Sequence, residues 1–362
     1  MMPVFFHLLN CRSRKRCMSP GIVVSLFMAL LLNAAAPVLA ATAAEQRAPQ
    51  LRIAILPFAN YSDRGNAELL VMPALRKGLE QQGFIIADDQ TINDFLLQER
   101  IRTTAYISTP LAQKLGEQLK LDAVLLGSVF VYDDGGNPKF GLFARLLSTR
   151  RSELIWTGYA SDTGEDFTKV LGLGTITSMA TLVDTVVGRL FAGISTAERL
   201  GRETETAYRV AVMPFLNKTR KPDAGMVVTN LFLARLFQSP KFLPIEYGDV
   251  RNTVVTKKIR SKGELSHGGI DAFAEAIQAD AVLVGVVELF DDGSATGAPP
   301  AVIITARLID SRTRRILWYD DMQLNGDERI RFFDIGKLRT VDKVAFSAVG
   351  DMIKRMERIE WK

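Results

Sequence analysis

The chain repeats itself once, and the repeat fixes the size of the folding unit. Residues 53–60, Ile-Ala-Ile-Leu-Pro-Phe-Ala-Asn, return at 210–217 as Val-Ala-Val-Met-Pro-Phe-Leu-Asn, an offset of 157. Asp122–Gly127 returns as Asp280–Gly285, and Asp133-Asp134-Gly135 as Asp291-Asp292-Gly293, both at an offset of 158. Ala144–Leu147 matches Ala306–Ile309, and Leu154-Ile155-Trp156 matches Ile316-Leu317-Trp318, both at 162. The offset grows at Ala295–Pro300, which predicts a longer hairpin loop in the second copy. A period of this length is far beyond a solenoid unit and equals one ordinary domain. The expected layout is a first domain over 51–196, a polar linker over 197–207 and a second domain over 208–358, with a polar lead-in at 41–50.

Each copy opens with a short continuous apolar run, 51–58 or 209–216, suited to an interior strand covered on both faces and stopped by Pro57 or Pro214. Asn60, Ser62 and Asp63, like Asn217 and Thr219, then predict a turn and a helix cap. The next segment is helical, with Leu69, Met72, Leu75 and Leu79 on one face; the matching helix uses Val228, Leu231 and Phe232. Pro73 is tolerable there only as a kink. Phe84–Ala87 and Phe242–Ile245 read as second strands, followed by helices at Ile92, Phe95 and Leu96 and at Val250 and Val254. Thr109-Pro110 reads as a cap with proline at the first helical position, before Leu111, Leu115 and Leu119. Val124–Tyr132 and Val282–Phe290 are the most strand-like segments. Phe140, Leu142, Ala144 and Leu146 alternate, as do Val302, Ile304, Ala306 and Leu308, predicting a half-buried strand in both copies. A tryptophan-bearing strand follows, then a long helix at about 167–193 or 341–356. The order βαβααβββα predicts an α/β (α+β) sheet-and-helix domain present in tandem.

The first forty residues are expected to lie outside this fold. Arg12, Arg14, Lys15 and Arg16 precede an apolar run, Ile22–Leu32, and small residues ending at Ala40, the layout of a secretory signal peptide over 1–40. The run is too short and too interrupted for a spanning helix. Of 45 basic and 40 acidic residues, this leader holds four basic ones, leaving 41 against 40, so the basic balance belongs mostly to the leader. That argues against nucleic acid, which needs a clustered basic excess. Both cysteines, Cys11 and Cys17, lie in the leader, and neither sits in a lipobox. An exported, unlipidated periplasmic chain follows, without disulfides.

The opening strand Ile-Ala-Ile-Leu-Pro-Phe-x-Asn, the later Asp-Ala-Val-Leu-Leu-Gly-Ser-Val and the hairpin ending in Leu-Ile-Trp resemble the CsgG/LpoB/TolB-N-terminal group of envelope proteins. The resemblance spans each repeat, over 51–193 and 209–356. It implies an anticodon-binding-domain-like fold and action by binding other envelope proteins: cell-wall synthases in one branch, a curli secretion channel in another, the Tol system in a third. Two features depart from the group: no lipobox is present, unlike in the channel and synthase-activator branches, and there are no inserted hairpins of about ten alternating residues such as the channel branch needs for its barrel.

Candidate chemistry is sparse. His267 is the one histidine beyond the leader, in a Ser-His-Gly-Gly turn, and no Gly-x-Ser-x-Gly elbow accompanies it. The Asp-Asp-Gly pairs fit hairpin turns better than a weak calcium or magnesium site, since no EF-hand spacing surrounds them. Gly172-Leu173-Gly174 lacks the third glycine of a dinucleotide loop. Trp156 and Trp318 fit core or hairpin packing better than a sugar platform. Lys257, Lys258, Arg260 and Lys262 form a basic run without counterpart in the first copy, suited to a solvated helix end or to an acidic partner or lipid headgroup. Asn60, Ser62, Asp63, Asn217 and Thr219 are the loop positions where a ligand site is sought first, beyond the carboxyl ends of strands. No cofactor is expected. The function expected is a non-enzymatic envelope adaptor, with peripheral membrane association, outer-membrane proximity and homo-oligomerisation left open. The alternatives are a subunit of a CsgG-like secretion assembly and a small-ligand binder or enzyme with an unrecognised site.

Overall fold

The computed structural model describes residues 50–102, 104–151, 153–168, 173–194, 207–259, 273–331 and 334–360. The expected leader, most of the linker, His267, Arg260, Lys262 and Gly172 lie outside these residues. The described residues pack as one compact unit.

The first copy runs β1 (Arg52–Ile55), β2 (Ala59–Asn60), α1 (Ala67–Gln81), β3 (Ile85–Ile86), α2 (Asp89–Gln98), α3 (Thr109–Leu119), β4 (Ala123–Asp133), β5 (Lys139–Ser148), β6 (Leu154–Thr163) and α4 (Met179–Ala192). The second repeats it as β7 (Tyr208–Val212), β8 (Leu216–Asn217), α5 (Ala224–Gln238), β9 (Phe242–Pro244), α6 (Tyr247–Thr256), a helical segment at 273–277, β10 (Ala281–Asp291), β11 (Ala301–Asp310), β12 (Ile316–Asn325) and α7 (Val341–Met356). Each sheet has six strands, ordered β3-β1-β4-β5-β6 and β9-β7-β10-β11-β12, with β2 beside β4 and β8 beside β10. The strands around β1 and β7 are parallel, and the β4-β5-β6 and β10-β11-β12 meanders are antiparallel.

The register explains the proline. Ile55 pairs with Leu125, but Ala59 pairs with Ser128, so Pro57 interrupts the strand for one irregular step and the chain then rejoins the same neighbour. Val212 opposite Leu283 and Leu216 opposite Val286 repeat this around Pro214. The β4–β5 loop holds residues 134–138 and the β10–β11 loop 292–300, four more, as the growing offset predicts.

Alternation along β1 splits the core of the first copy. Ile53 and Ile55 face α1 and α4, whereas Ala54 and Leu56 face α2 and α3. Trp156 lies against Phe191, with ring centroids 5.8 Å apart.

Four local expectations are corrected. Leu69 is 59% exposed, because the buried stripe of α1 runs through Ala67, Val71, Leu75 and Leu79 and Leu69 falls on the other side. Pro73 shares that exposed side, where the carbonyl it frees can turn to water. The last helix of the first copy starts at Met179; Gly164–Phe167 is a separate 3-10 turn with a Thr163–Asp166 capping box. The third correction is at α3, where Ser108 rather than Thr109 is the N-cap residue. The fourth is the largest: β5 is buried on both faces rather than half-buried, while β11 alternates buried and half-buried positions.

Candidate functional site: the seam between the copies

The burial of β5 has its cause in the second copy. The antiparallel half of the first sheet carries Phe130 and Phe143 on its outer side, and these, with Tyr61 just after β2, belong to one apolar cluster with Val227, Val228 and Leu231 of α5. The α5 sequence Ala-Gly-Met-Val-Val-Thr-Asn-Leu-Phe-Leu-Ala-Arg-Leu-Phe-Gln is apolar on nearly every side, and Ala224 through Ala234 are buried apart from Met226. A helix apolar all round needs partners all round. Its own sheet supplies one side and the first copy's sheet supplies the other.

Polar groups fix the orientation of this packing. Arg145 on β5 is fully buried, and its guanidinium donates to both Glu246 carboxylate oxygens, at 2.8 and 2.9 Å, and to the Ala105 carbonyl at 2.8 Å. Glu246 is also the N-cap of α6 and accepts from the Gly248 amide at 3.2 Å. Removing one member of such a pair leaves an uncompensated buried charge. Asp249 accepts from the backbone N–H and the hydroxyl of Thr109, each at 2.8 Å, so a carboxylate of the second copy serves the first turn of α3. Burial pushes the Asp249 carboxyl up from its ordinary value, against the two Thr109 hydrogen bonds. Asn230 donates to the Ser128 hydroxyl at 3.0 Å. The Tyr159 hydroxyl donates to Asp342 at 2.9 Å, and the Tyr159 ring lies 4.1 Å from that of Phe346. Burial, with Asp342 beside it, holds the Tyr159 phenol well above its ordinary value. Lys343 reaches Asp162 and Asp166 at 2.8 and 2.7 Å.

Two glycines permit the close approach. A Cβ at Gly248 would collide with the Ile107 carbonyl, and one at Gly141 with the Asp342 carboxylate. In the other copy the matching positions are Gln90 and Ile303, which need no such room.

One cleft of about 470 Å³ opens along the seam. It gathers the loop holding Ser62 and Asp63, the Asp-Asp-Gly turns of both copies, Lys221 and the start of α7. Asn60 closes its loop by accepting from the amide and hydroxyl of Ser62 and donating to the Arg64 carbonyl at 2.7 Å. Asn217 does the same with Thr219 and the Lys221 carbonyl. Asn60, Ser62, Asn217 and Thr219 therefore build turns, and the fifth loop residue, Asp63, pairs with Lys221 at 2.6 Å and joins the two loops across the seam. The aspartates of the hairpin turns serve the backbone too: Asp133 accepts from Gly135, Asp291 from Gly293 and Asp292 from Ser294. Burial works to raise the Asp292 carboxyl, but the Ser294 hydroxyl and amide and the charges of Lys139 and Lys221 hold it below its ordinary value. Arg64 pairs with Asp134 at 3.4 Å and Lys139 with Asp133 at 3.6 Å. The cleft thus sets several ion pairs over an apolar floor that includes Phe130, Val227 and Phe290. Among the described residues no group of three or more His, Cys, Asp or Glu side chains is placed to hold a metal ion, and no helix is long and apolar enough to cross a membrane.

Lys257 and Lys258 stand exposed at the end of α6, Lys258 with φ 52°. Neither joins the cleft-lining residues. The sequence reading missed Arg145, Glu246, Ser128 and Asn230. Its available signal was α5: the amphipathic α1 stripe is replaced there by apolar residues on all sides.

No protein-family profile matches the chain, and no curated protein sequence does. Solved structures are similar in part. The PelC dodecamer from Paraburkholderia phytofirmans is 20% identical over 41% of this chain and 87% of that one, with a TM-score of 0.29. Lipoprotein GNA1162 from Neisseria meningitidis is 21% identical over 40% and 99%, with a TM-score of 0.31. The LpoB C-terminal domain from Salmonella enterica is 16% identical over 31% and 82%, with a TM-score of 0.26. Each match spans no more of this chain than one copy.

Proposed function

We propose that the protein is a non-enzymatic adaptor of the bacterial cell envelope, exported to the periplasm, where its two domains bind other envelope proteins as one rigid body. The carrying observation is the seam. Duplication has produced a scaffold whose buried polar groups hold one copy against the other, and whose hairpin-turn carboxylates at the cleft are engaged with cations and backbone amides. The resemblance of both repeats to the CsgG/LpoB/TolB-N-terminal group supports the envelope setting. The basic run Lys257, Lys258, Arg260 and Lys262 is the partner contact we assign, facing an acidic protein surface or lipid headgroups. A photo-crosslinking residue at Lys257, in the full chain expressed in its native envelope, should capture a discrete envelope protein. That protein, purified, should bind the parent and lose at least tenfold in affinity for a Lys257→Glu/Lys258→Glu variant. Equal affinity for the variant would refute the contact, and the absence of any envelope partner would refute the adaptor.

The cleft favours a second reading, because about 470 Å³ with convergent polar groups lies in the range of small-ligand sites. A ligand there would meet the Asp63–Lys221 pair at the cleft wall. Thermal shifts with a panel of zwitterionic and anionic metabolites test this; no shift across the panel rejects it. We place the secretion-channel reading below both, since the β10–β11 loop, 292–300, is the one enlarged hairpin loop among the described residues.

A further inference from the structure

The two copies meet head to tail: the α5 side of the second covers the sheet of the first. Such a contact leaves each of its two surfaces used once and bare once. The bare helix surface is on α1, where Leu69 and Leu70 are 59% and 48% exposed and Pro73 stands beside them. Leu70, Pro73 and Lys77 occupy the places that Val227, Asn230 and Ala234 hold, buried, on α5. The bare sheet surface is the outer side of β10, β11 and β12, where Val286, Ile303, Thr305 and Arg307 are half-buried and Tyr319 is 60% exposed.

We infer that these two surfaces bind each other between molecules, so that the α1 face of one chain docks on the β10–β12 face of another copy and repeats the internal seam. The seam itself identifies the occupant, position by position. Arg307 stands where Arg145 stands, and Asp88, the N-cap of α2, stands where Glu246 caps α6. The buried ion pair of the seam therefore has an intermolecular counterpart in Arg307 with Asp88. Ser128 and Asn230, hydrogen-bonded in the seam, correspond to Val286 and Pro73: a polar pair becomes an apolar pair, changed on both sides together. Gly141 makes room for Asp342; in their places stand Ile303 and Ala180, so the larger residue on the sheet meets the smaller one on the helix. Among the described residues no carboxylate lies within ion-pair reach of Arg307, which leaves it available to Asp88.

The contact is weaker than the seam. The aromatic patch of Tyr61, Phe130 and Phe143 is replaced in the second copy by Lys218, Glu288 and Thr305, and Lys218 pairs with Glu288 at 3.1 Å. Asp321, in the place of Tyr159, would face the Lys77–Asp184 ion pair. Association between chains is therefore reversible and depends on concentration, whereas the seam within a chain is permanent. Repeated head to tail, it closes a ring or extends a filament. This inference is independent of which envelope component the adaptor binds.

Cysteine trapping tests it. In a full-length background with Cys11 and Cys17 replaced by serine, Pro73→Cys in one preparation and Val286→Cys in another are mixed under mild oxidation. A disulfide-linked heterodimer should form, and Pro73→Cys mixed with a cysteine at the exposed turn residue Arg312 should give none. Absence of the heterodimer, or equal yield with the Arg312 control, overturns the proposal. By light scattering, the parent should gain mass with concentration, Arg307→Glu should weaken association at least tenfold, and an equimolar mixture with Asp88→Arg should restore it. Unchanged association by Arg307→Glu at unchanged thermal stability overturns the ion pair and the register with it. If the β10–β12 face is covered only on adding an envelope extract, its occupant is another protein and the inference fails.

Discussion

Strands β5 and β11 descend from one sequence pattern and end in different surroundings. Their inner sides are interchangeable: Leu142, Ala144 and Leu146 are buried, as are Ile304, Ala306 and Leu308. Their outer sides are not. Gly141, Phe143 and Arg145 are buried beneath the second copy, while Ile303, Thr305 and Arg307 lie on an open face. The fold of one copy is thus set by its inner pattern, and the use of the copy by what its outer face meets. A duplicated domain with one face spent on its twin and the equivalent face unspent is built for further contact.

That contrast can be broken at several points. The largest effect should come from the buried ion pair. Glu246→Ala leaves Arg145 charged and unpaired and should cost about 3–5 kcal/mol in denaturant-monitored stability, whereas Arg307→Ala on the open face should stay within about 0.5 kcal/mol. Equal costs would mean that the two faces are alike. Gly248→Ala drives a methyl group into the Ile107 carbonyl and should cost about 1–3 kcal/mol, while its counterpart Gln90→Ala, exposed on α2, should be nearly silent by the same assay. Tyr159→Phe removes a donor to a buried carboxylate and should cost about 1.5 kcal/mol by thermal denaturation; Asp321→Asn, its counterpart, should not register.

The smallest effect is a difference in pH dependence between two carboxylates at helix starts. Asp249, raised by burial, contributes stability that is fully present below 3.8, its ordinary value, and is lost as pH rises through its folded value. The advantage of the parent over Asp249→Asn should therefore be greatest at acid pH and shrink on going up. Asp88, lowered by the Thr91 backbone and side-chain hydrogen bonds, behaves oppositely. Its contribution is present above 3.8 and disappears as pH falls through its folded value. Stability curves of the two asparagine variants between pH 3 and 7 should diverge from the parent in opposite senses.

Element order, the hairpin insertion and the turn role of Asn60 and Asn217 could be read from sequence, because all depend on local chemistry: apolar periodicity, Asp-Gly turns, and side chains that bond their own backbone. The seam could not, because its determinants lie far apart. Arg145 looks like a surface residue in an alternating strand until Glu246, 101 positions away, is placed against it. Thr109 looks like a cap until Asp249 takes its amide. Leu69 misled for a related reason: its spacing to Met72 and Leu75 fits a helical stripe, but a neighbouring stripe through Val71 is the one that faces the sheet. The cleft lay between these cases. Its loops could be named from sequence as places to look for a ligand, but their meeting across the seam needed the fold.

The first sheet's outer face is closed by the second copy, while the second sheet's equivalent face is open. Hydroxyl-radical footprinting reads both faces at once. At low protein concentration, Phe130 and Phe143, 3% and 0% exposed, should resist oxidation while Tyr319, 60% exposed, is labelled rapidly, and raising the concentration should protect Tyr319 alone. Oxidation of Phe130 and Phe143 at a rate comparable with Tyr319, in protein that is otherwise folded, would show that the copies do not hold together and would contradict the account.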